Sequence, residues 1–453
     1  MQKSINNSMK WFKTIPFSDV VLWDVKRYSF EKIQSKYPIV KLGMHIQEES
    51  HKVKLADYPD EEFGILGVSN KIGIFDAYKE KGANINQSYK TMEQGWLAYN
   101  PYRVNVGSIG LRTEEHANEY ISPAYVVFSC KETLIPDFLF KLFKTERFNK
   151  VINASTTGSV RQNLTIDILK SLDIPLPPID VQQKILDKYY SESRKSKEFA
   201  KESNQIGFEI DAFLLKELGI NLTIKERKSG LSFTQFSTID RWSVDYLFNL
   251  SSIDGLQNAK YPLHPISRYI IESQYGLSSK ASPEPVGTPM LRMNNINNSE
   301  LDISDLKYIT LSKNEKKKYL LEKGDLLFNR TNSKELVGKT AVFKEDEEYT
   351  FASYLIRLKL NNLKLDVDYI NFLFNSPIGR VQIDLISRQV LGQANVNAQE
   401  LKEFVFPIPD IETQKKIANE ALLMKEKQNS LLAQSEEQKI NAITNVQNAV
   451  LSI

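Results

Sequence analysis

Two regimes of hydrophobic patterning alternate along the chain, and the pair occurs twice. Over residues 20–179 and again over 240–409, short β-branched and aromatic runs such as Tyr125-Val-Val-Phe128 and Tyr354-Leu-Ile-Arg-Leu358 are separated by Gly, Asn and Pro turns. Such runs predict strands in a globular domain of mixed α/β (α+β) class. After each region the prolines stop and the period changes. From Asp180 to Leu218 there is no Pro and one Gly, Gly207. Ile185, Tyr189, Phe199, Ile206, Ile210 and Phe213 recur there on a heptad-like frame that also takes in Glu192, Ser196 and Ser203. From Glu412 to Ile453 there is neither Gly nor Pro, and Ile443, Val446, Val450 and Ile453 share one face. Each stretch predicts a helix of about 40 residues, roughly 60 Å long. Helices that long and that polar need a partner for their apolar stripe. Packing the two as an antiparallel coiled coil in a pseudo-twofold arrangement would provide one.

The duplication extends to individual residues. The segment Asn163–Ile185 aligns without a gap on Asn395–Ile417, with Leu169/Leu401, Lys170/Lys402, Pro175/Pro407, Pro177/Pro409, Ile179/Ile411, Gln182/Gln414 and Lys184/Lys416 coinciding. Upstream, Asp137-Phe-Leu-Phe-Lys-Leu-Phe143 answers Asp368-Tyr-Ile-Asn-Phe-Leu-Phe374, and Gly95-Trp-Leu-Ala-Tyr-Asn100 answers Gly324-Asp-Leu-Leu-Phe-Asn329. Even the entries agree, Trp23-Asp-Val against Trp242-Ser-Val. Thr165 and Asn397 occupy matching places, each expected to cap a short helix, and Asn397-x-x-Glu400 has capping-box spacing. The expected divisions are a first domain (1–179), a central helix (180–220), a second domain (221–409) and a C-terminal helix (410–453).

Composition narrows the classes. The 453 residues are 41% hydrophobic and 25% charged, with a net charge of +3. That is ordinary for a folded protein and permits nucleic acid as a partner without demanding it. A single cysteine, Cys130, excludes a disulfide framework, and the four histidines show no pair at metal-ligand spacing. No metal site and no catalytic residue is expected. No apolar run approaches the roughly 20 residues of a membrane span, and the N-terminus lacks a signal-peptide pattern, so a cytoplasmic location is expected.

Two such domains, each closed by a Pro-x-Pro-(Pro/Asp)-Ile turn into a Gln-x-Lys-Ile helix, resemble the specificity subunit of Type I restriction–modification systems. In the second half Pro289-Met-Leu-Arg-Met-Asn-Asn-Ile296, Lys323-Gly-Asp-Leu-Leu-Phe-Asn-Arg330, Ser353-Tyr-Leu-Ile-Arg-Leu358 and Asn375-Ser-Pro-Ile-Gly-Arg380 resemble the family's target-recognition domains in order and spacing. The resemblance implies a bipartite double-stranded DNA target with one half-site per domain, and helices that space the domains and dock two methyltransferase subunits. It further implies restriction–translocase subunits in restriction complexes. The chain itself would hold no cofactor; S-adenosylmethionine, ATP and Mg would belong to the partner subunits. The first domain departs from the pattern at its opening, residues 1–18, and at Asn100-Pro-Tyr-Arg103.

Reading bases requires forked donors and amides, Arg for guanine and Asn or Gln for adenine. Candidates at matching loops are Arg103 and Arg112 with Asn329 and Arg330, and Arg161 and Gln162 with Gln393. Arg292 and Asn294 add a cluster in the second domain, and Asn70 and Lys71 one in the first. Lys339 and the Lys313–Lys318 run are candidate phosphate contacts. Asn163 and Asn395 recur although the domains should read different bases, which points to a structural role. Several motifs have plainer explanations. Asn100-Pro-Tyr102 lacks a proline of the amino-methyltransferase loop. Gly338-Lys-Thr340 has Ser333 where a phosphate loop requires Gly. Asp410 and Glu412 suit a helix N-terminus. A fused nuclease–methyltransferase and a purely protein-binding coiled-coil scaffold remain the alternatives.

Overall fold

The computed structural model describes residues 33–102, 108–155, 163–222, 233, 235–236, 254–334, 336–386, 388–390 and 393–451. The chain forms two units, Met1–Ala200 with Ala433–Ile453, and Lys201–Leu432.

In the first unit an antiparallel sheet runs in the order Ile46–Glu48, Val126–Cys130, Leu97–Tyr99, Ile109–Leu111. Its Leu97, Tyr99 and Phe128 pack with Phe138, Leu142 and Phe148 of the helices Pro136–Lys144 and Glu146–Ser155. Truncating one such buried ring costs about 3–5 kcal/mol. A second sheet is built around the hairpin Glu62–Ser69 and Gly73–Lys81, with Ile65 running parallel to Tyr120.

The second unit repeats this plan. Its four-stranded sheet has the order Ile270–Tyr275, Leu355–Leu360, Leu326–Asn329, Thr340–Val342. Helices Val367–Asn375 and Pro377–Ile386 follow, and Met290 runs parallel to Thr350 as Ile65 does to Tyr120. Flanking strands close each domain alike, Ile39–Lys41 against Asp173–Pro175 and Leu263–Pro265 against Val405–Pro407. The units differ outside this frame: the first carries the long hairpin, the second the short one Ile296–Asn297/Glu300–Leu301 and the helix Lys313–Tyr319.

The shared glutamines have a structural cause. Fully buried Gln182 accepts from the Ile135 amide (2.9 Å) and donates to the Thr133 and Pro177 carbonyls. Gln414 does the same with the Asp366 amide (2.8 Å) and the Lys364 and Pro409 carbonyls. Each side chain satisfies three backbone groups where the Pro-x-Pro turn enters its helix, groups that would otherwise be buried unpaired. Both expected caps form. Thr165 Oγ1 accepts from the Ile168 amide, and Asn397 and Glu400 make a reciprocal capping box.

The long helices run Ile179–Glu217 and Ile411–Val450. Within the first unit, Ser196 Oγ donates to the Ser435 carbonyl and Ser435 Oγ to the Ser196 carbonyl, both at 2.8 Å, while Asn445 Nδ2 meets Glu192 Oε1 at 2.8 Å. Within the second, Ser203 Oγ donates to the Gln428 carbonyl and Gln428 Nε2 to the Ser203 carbonyl, each at 3.1 Å. In the first unit later residues of one segment meet earlier residues of the other, so these segments run antiparallel. Gly207 sits where a Cβ would stand 2.8 Å from the Gln428 amide. The stripe is not covered by the facing segment alone, because Val446 and Val450 also belong to the apolar cluster holding Phe138 and Phe148.

Candidate nucleic-acid interface

The repeated frame brings one loop to the same place in each domain. In the first, the Asn100 amide donates to the Ser108 carbonyl (3.1 Å) and the Leu164 amide to the Pro101 carbonyl (3.0 Å). In the second, the Asn329 amide donates to the Lys339 carbonyl (2.8 Å) and the Val396 amide to the Arg330 carbonyl (2.9 Å). Arg330 therefore stands where the first domain has Pro101. Neither expected Arg103 nor Arg112 is its counterpart.

In the first unit, Asn70 and Lys71 are exposed at the turn of the long hairpin, beside Ile72, whose amide donates to Ser69 Oγ. Gly73 closes that turn at φ +78°, a value glycine adopts without strain. Arg112 corrects the sequence expectation. It is 6% exposed, donates to the Met92 carbonyl and lies 3.7 Å from Glu119. A guanidinium committed to the interior presents no fork to a base. Arg103, Arg161 and Gln162 lie outside the described residues. Tyr102, in the Asn100-Pro-Tyr loop that the sequence marks, is 59% exposed.

Two further candidates in the second unit are also turned inward. Asn329 is 1% exposed and donates to the Leu336 carbonyl. Arg292 spends one terminal nitrogen on both the carbonyl (2.8 Å) and carboxylate (3.0 Å) of Asp305, with its Nε buried. The adjacent Asn294 remains exposed. Arg330 is half-buried, its guanidinium carbon 5.0 Å from the centre of the Tyr275 ring and Nη1 3.4 Å from the Ser353 carbonyl. Gln393 belongs to the strand Gln393–Asn395, which pairs with Thr331–Asn332. Asn395 accepts from Thr331 Oγ1 at 2.6 Å, a contact within its own domain.

Lys339 is half-buried and lines a cleft of about 440 Å³ together with Asp211, Lys425 and Phe208. Burial holds its ammonium below the ordinary lysine range. The neighbouring amides of Leu336 and Val337 donate to the Ser333 carbonyl, and that of Gly338 to the Asn329 carbonyl, so these three are not free for a phosphate. Exposed Lys317 lies on the helix Lys313–Tyr319, whose Ser312 and Glu315 form a capping box. Two other motifs are structural: Asn100 Oδ1 accepts from the Tyr102 amide, and Asp410 from the Thr413 amide and hydroxyl, which holds its carboxyl below the usual range. Among the described residues no cluster of three His, Cys, Asp or Glu could hold a metal, and no helix is long and apolar enough to cross a membrane.

The sequence profile of the Type I restriction modification DNA specificity domain matches residues 34–206 and again 271–444. A chain described as a type I restriction enzyme MjaX specificity subunit of Methanocaldococcus jannaschii is 32% identical over 145 residues, covering 32% of this chain and 34% of that one. The type I restriction enzyme EcoKI specificity subunit of Escherichia coli K12 is 24% identical over 326 residues, 71% of this chain and 65% of the relative. The chain thus spans between about a third and just under two thirds of the length of these relatives. One chain of a solved structure, described by complex assembly and conformational transition of the type I R-M system, superposes with a TM-score of 0.53 at 14% identity. The match covers 93% of this chain and 99% of that one. At that identity the likeness concerns the fold alone.

Proposed function

The chain belongs to the family defined by the Type I restriction modification DNA specificity domain, and from that premise we propose that it is the non-catalytic DNA-specificity subunit of a Type I restriction–modification complex. Each domain reads one half of a split duplex target. The long helices set the gap between the halves and dock two methyltransferase subunits, and restriction–translocase subunits join these in a restriction complex. S-adenosylmethionine, ATP and Mg act in those partners, which carry out the chemistry on the DNA in the cytoplasm.

One observation carries this reading. The same hydrogen-bonded loop frame is built twice and furnished with different side chains, Pro101 and Tyr102 in one domain, Arg330 and Thr331 in the other. A shared scaffold with unlike surfaces is what two different half-sites require, because base identity is read by side chains and the register on the backbone is not. Among the described residues, Asn70, Lys71, Asn294, Arg330 and Lys317 are the side chains we assign to the duplex. Selection of duplexes bound by the full chain from a randomised library tests it. The expected result is one enriched sequence in two blocks with an indifferent spacer. Enrichment of no sequence, or of a single uninterrupted block, overturns the reading.

A further inference from the structure

Three strand ends converge beside Arg330. It follows the strand Leu326–Asn329, its amide donates to the Tyr354 carbonyl (3.0 Å), and its guanidinium lies on Tyr275, the last residue of the edge strand Ile270–Tyr275. Tyr275 is 41% exposed, so the arginine is held at a partly open surface. The Tyr275 hydroxyl is itself fixed, accepting from the Ala398 amide at 2.9 Å, at the first turn of the helix Ala398–Lys402. A guanidinium has five N–H donors. Among the described residues, that of Arg330 has one long bond, to Ser353, and a buried Nε without an acceptor. It is held by the ring, and its donors are left largely unspent.

We propose that Tyr275 is a positioning residue for sequence readout: its ring holds the Arg330 guanidinium so that the free donors meet the edge of one base pair in the second half-site. This rests on the DNA-specificity reading above. The physical argument concerns order. An unsupported arginine loses rotamer freedom on binding, and a guanidinium already stacked on an anchored ring has lost part of it beforehand. The pair belongs to the second domain alone. The first has Pro101 at the matching place, and its edge strand Ile46–Glu48 contains no aromatic residue. One position of the second half-site should therefore be read through a device that the first half-site lacks.

The test uses the full chain and duplexes carrying its selected target, with each base pair of the second half-site substituted in turn. Tyr275→Phe keeps the ring but not its hydroxyl anchor, and should keep most of the discrimination. Tyr275→Leu removes the ring and should lower discrimination at one position by about fivefold, the order expected for losing a cation–ring contact at a partly exposed site. Arg330→Ala should lower it at the same position, and Tyr275→Leu should add nothing in the Arg330→Ala background. Thermal melting of each variant identifies losses caused by unfolding, and Tyr275→Phe with the Arg330→Ala background then decides the matter. Equal discrimination by the unaltered chain and by a folded Tyr275→Leu overturns the proposal, as do additive effects of the two substitutions. A chain that selects no split target at all would instead overturn the specificity reading beneath it.

Discussion

The Arg112 guanidinium is buried against the Met92 carbonyl, and its Nε has no acceptor among the described residues. Arg112→Met removes both the donor and the stranded N–H but leaves the carbonyl unpaired, so it should cost about 1–3 kcal/mol of stability. Because the side chain faces inward, the sequence preference in a duplex selection should stay the same; denaturant melts and the selection together check this. Lys317 is exposed on a capped helix. Lys317→Ala should leave stability unchanged and weaken cognate and random duplexes by equal factors, with a shallower salt dependence, as loss of a phosphate contact does. A change in the preferred sequence would reassign it to base readout.

Among the long elements, the central helix Ile179–Glu217 carries a polar seam in which Ser196 pairs with Ser435 and Ser203 with Gln428. Serines let the backbones approach, and their hydroxyls bond carbonyls of the facing segment, so a shift of register would strand several buried groups at once. Asp211 on the same helix is different. Burial pushes its carboxyl up to about 6, against 3.8 when unfolded. Between those values the folded chain keeps a proton that the unfolded chain has lost, so stability falls as pH rises from about 4 to about 6 and is level above. Asp211→Asn removes the penalty. It should stabilise the protein by roughly 1–2 kcal/mol near pH 7 and hardly at all near pH 4, as followed by denaturant midpoints at the two pH values.

For the whole molecule, the proposed measuring role of the helices makes a quantitative prediction. Adding four residues to each long helix, after Ala200 and after Leu432, lengthens each by about 6 Å and by little more than one turn, which nearly preserves the apolar face. With about 3.4 Å between successive base pairs, the spacer of the selected target should grow by one or two base pairs while both half-sites keep their sequence. Unchanged spacing with undiminished affinity would show that the helices do not measure the DNA.

The sequence by itself determined what is local or periodic. The heptad frame through Ser196, Ser203, Ile206 and Ile210 became the buried face of the central helix. Thr165 and Asn397 became caps, and the duplication became two sheets of one topology. These depend on spacing alone, since a helix or strand repeats its faces at a fixed interval. Only the tertiary structure decided which polar residues are spent inside their own domain. Arg112, Arg292 and Asn329 were indistinguishable from Arg330 in a reading of residue types, yet the first three are spent on carbonyls or a carboxylate of their own domain. The donors that would read a base are also the donors that close exposed strand and loop carbonyls. Tyr275 gave no sign at all, because its place beside Arg330 comes from edge and inner strands of one sheet more than fifty residues apart in sequence. Which use prevails depends on burial, and burial is set by residues distant along the chain.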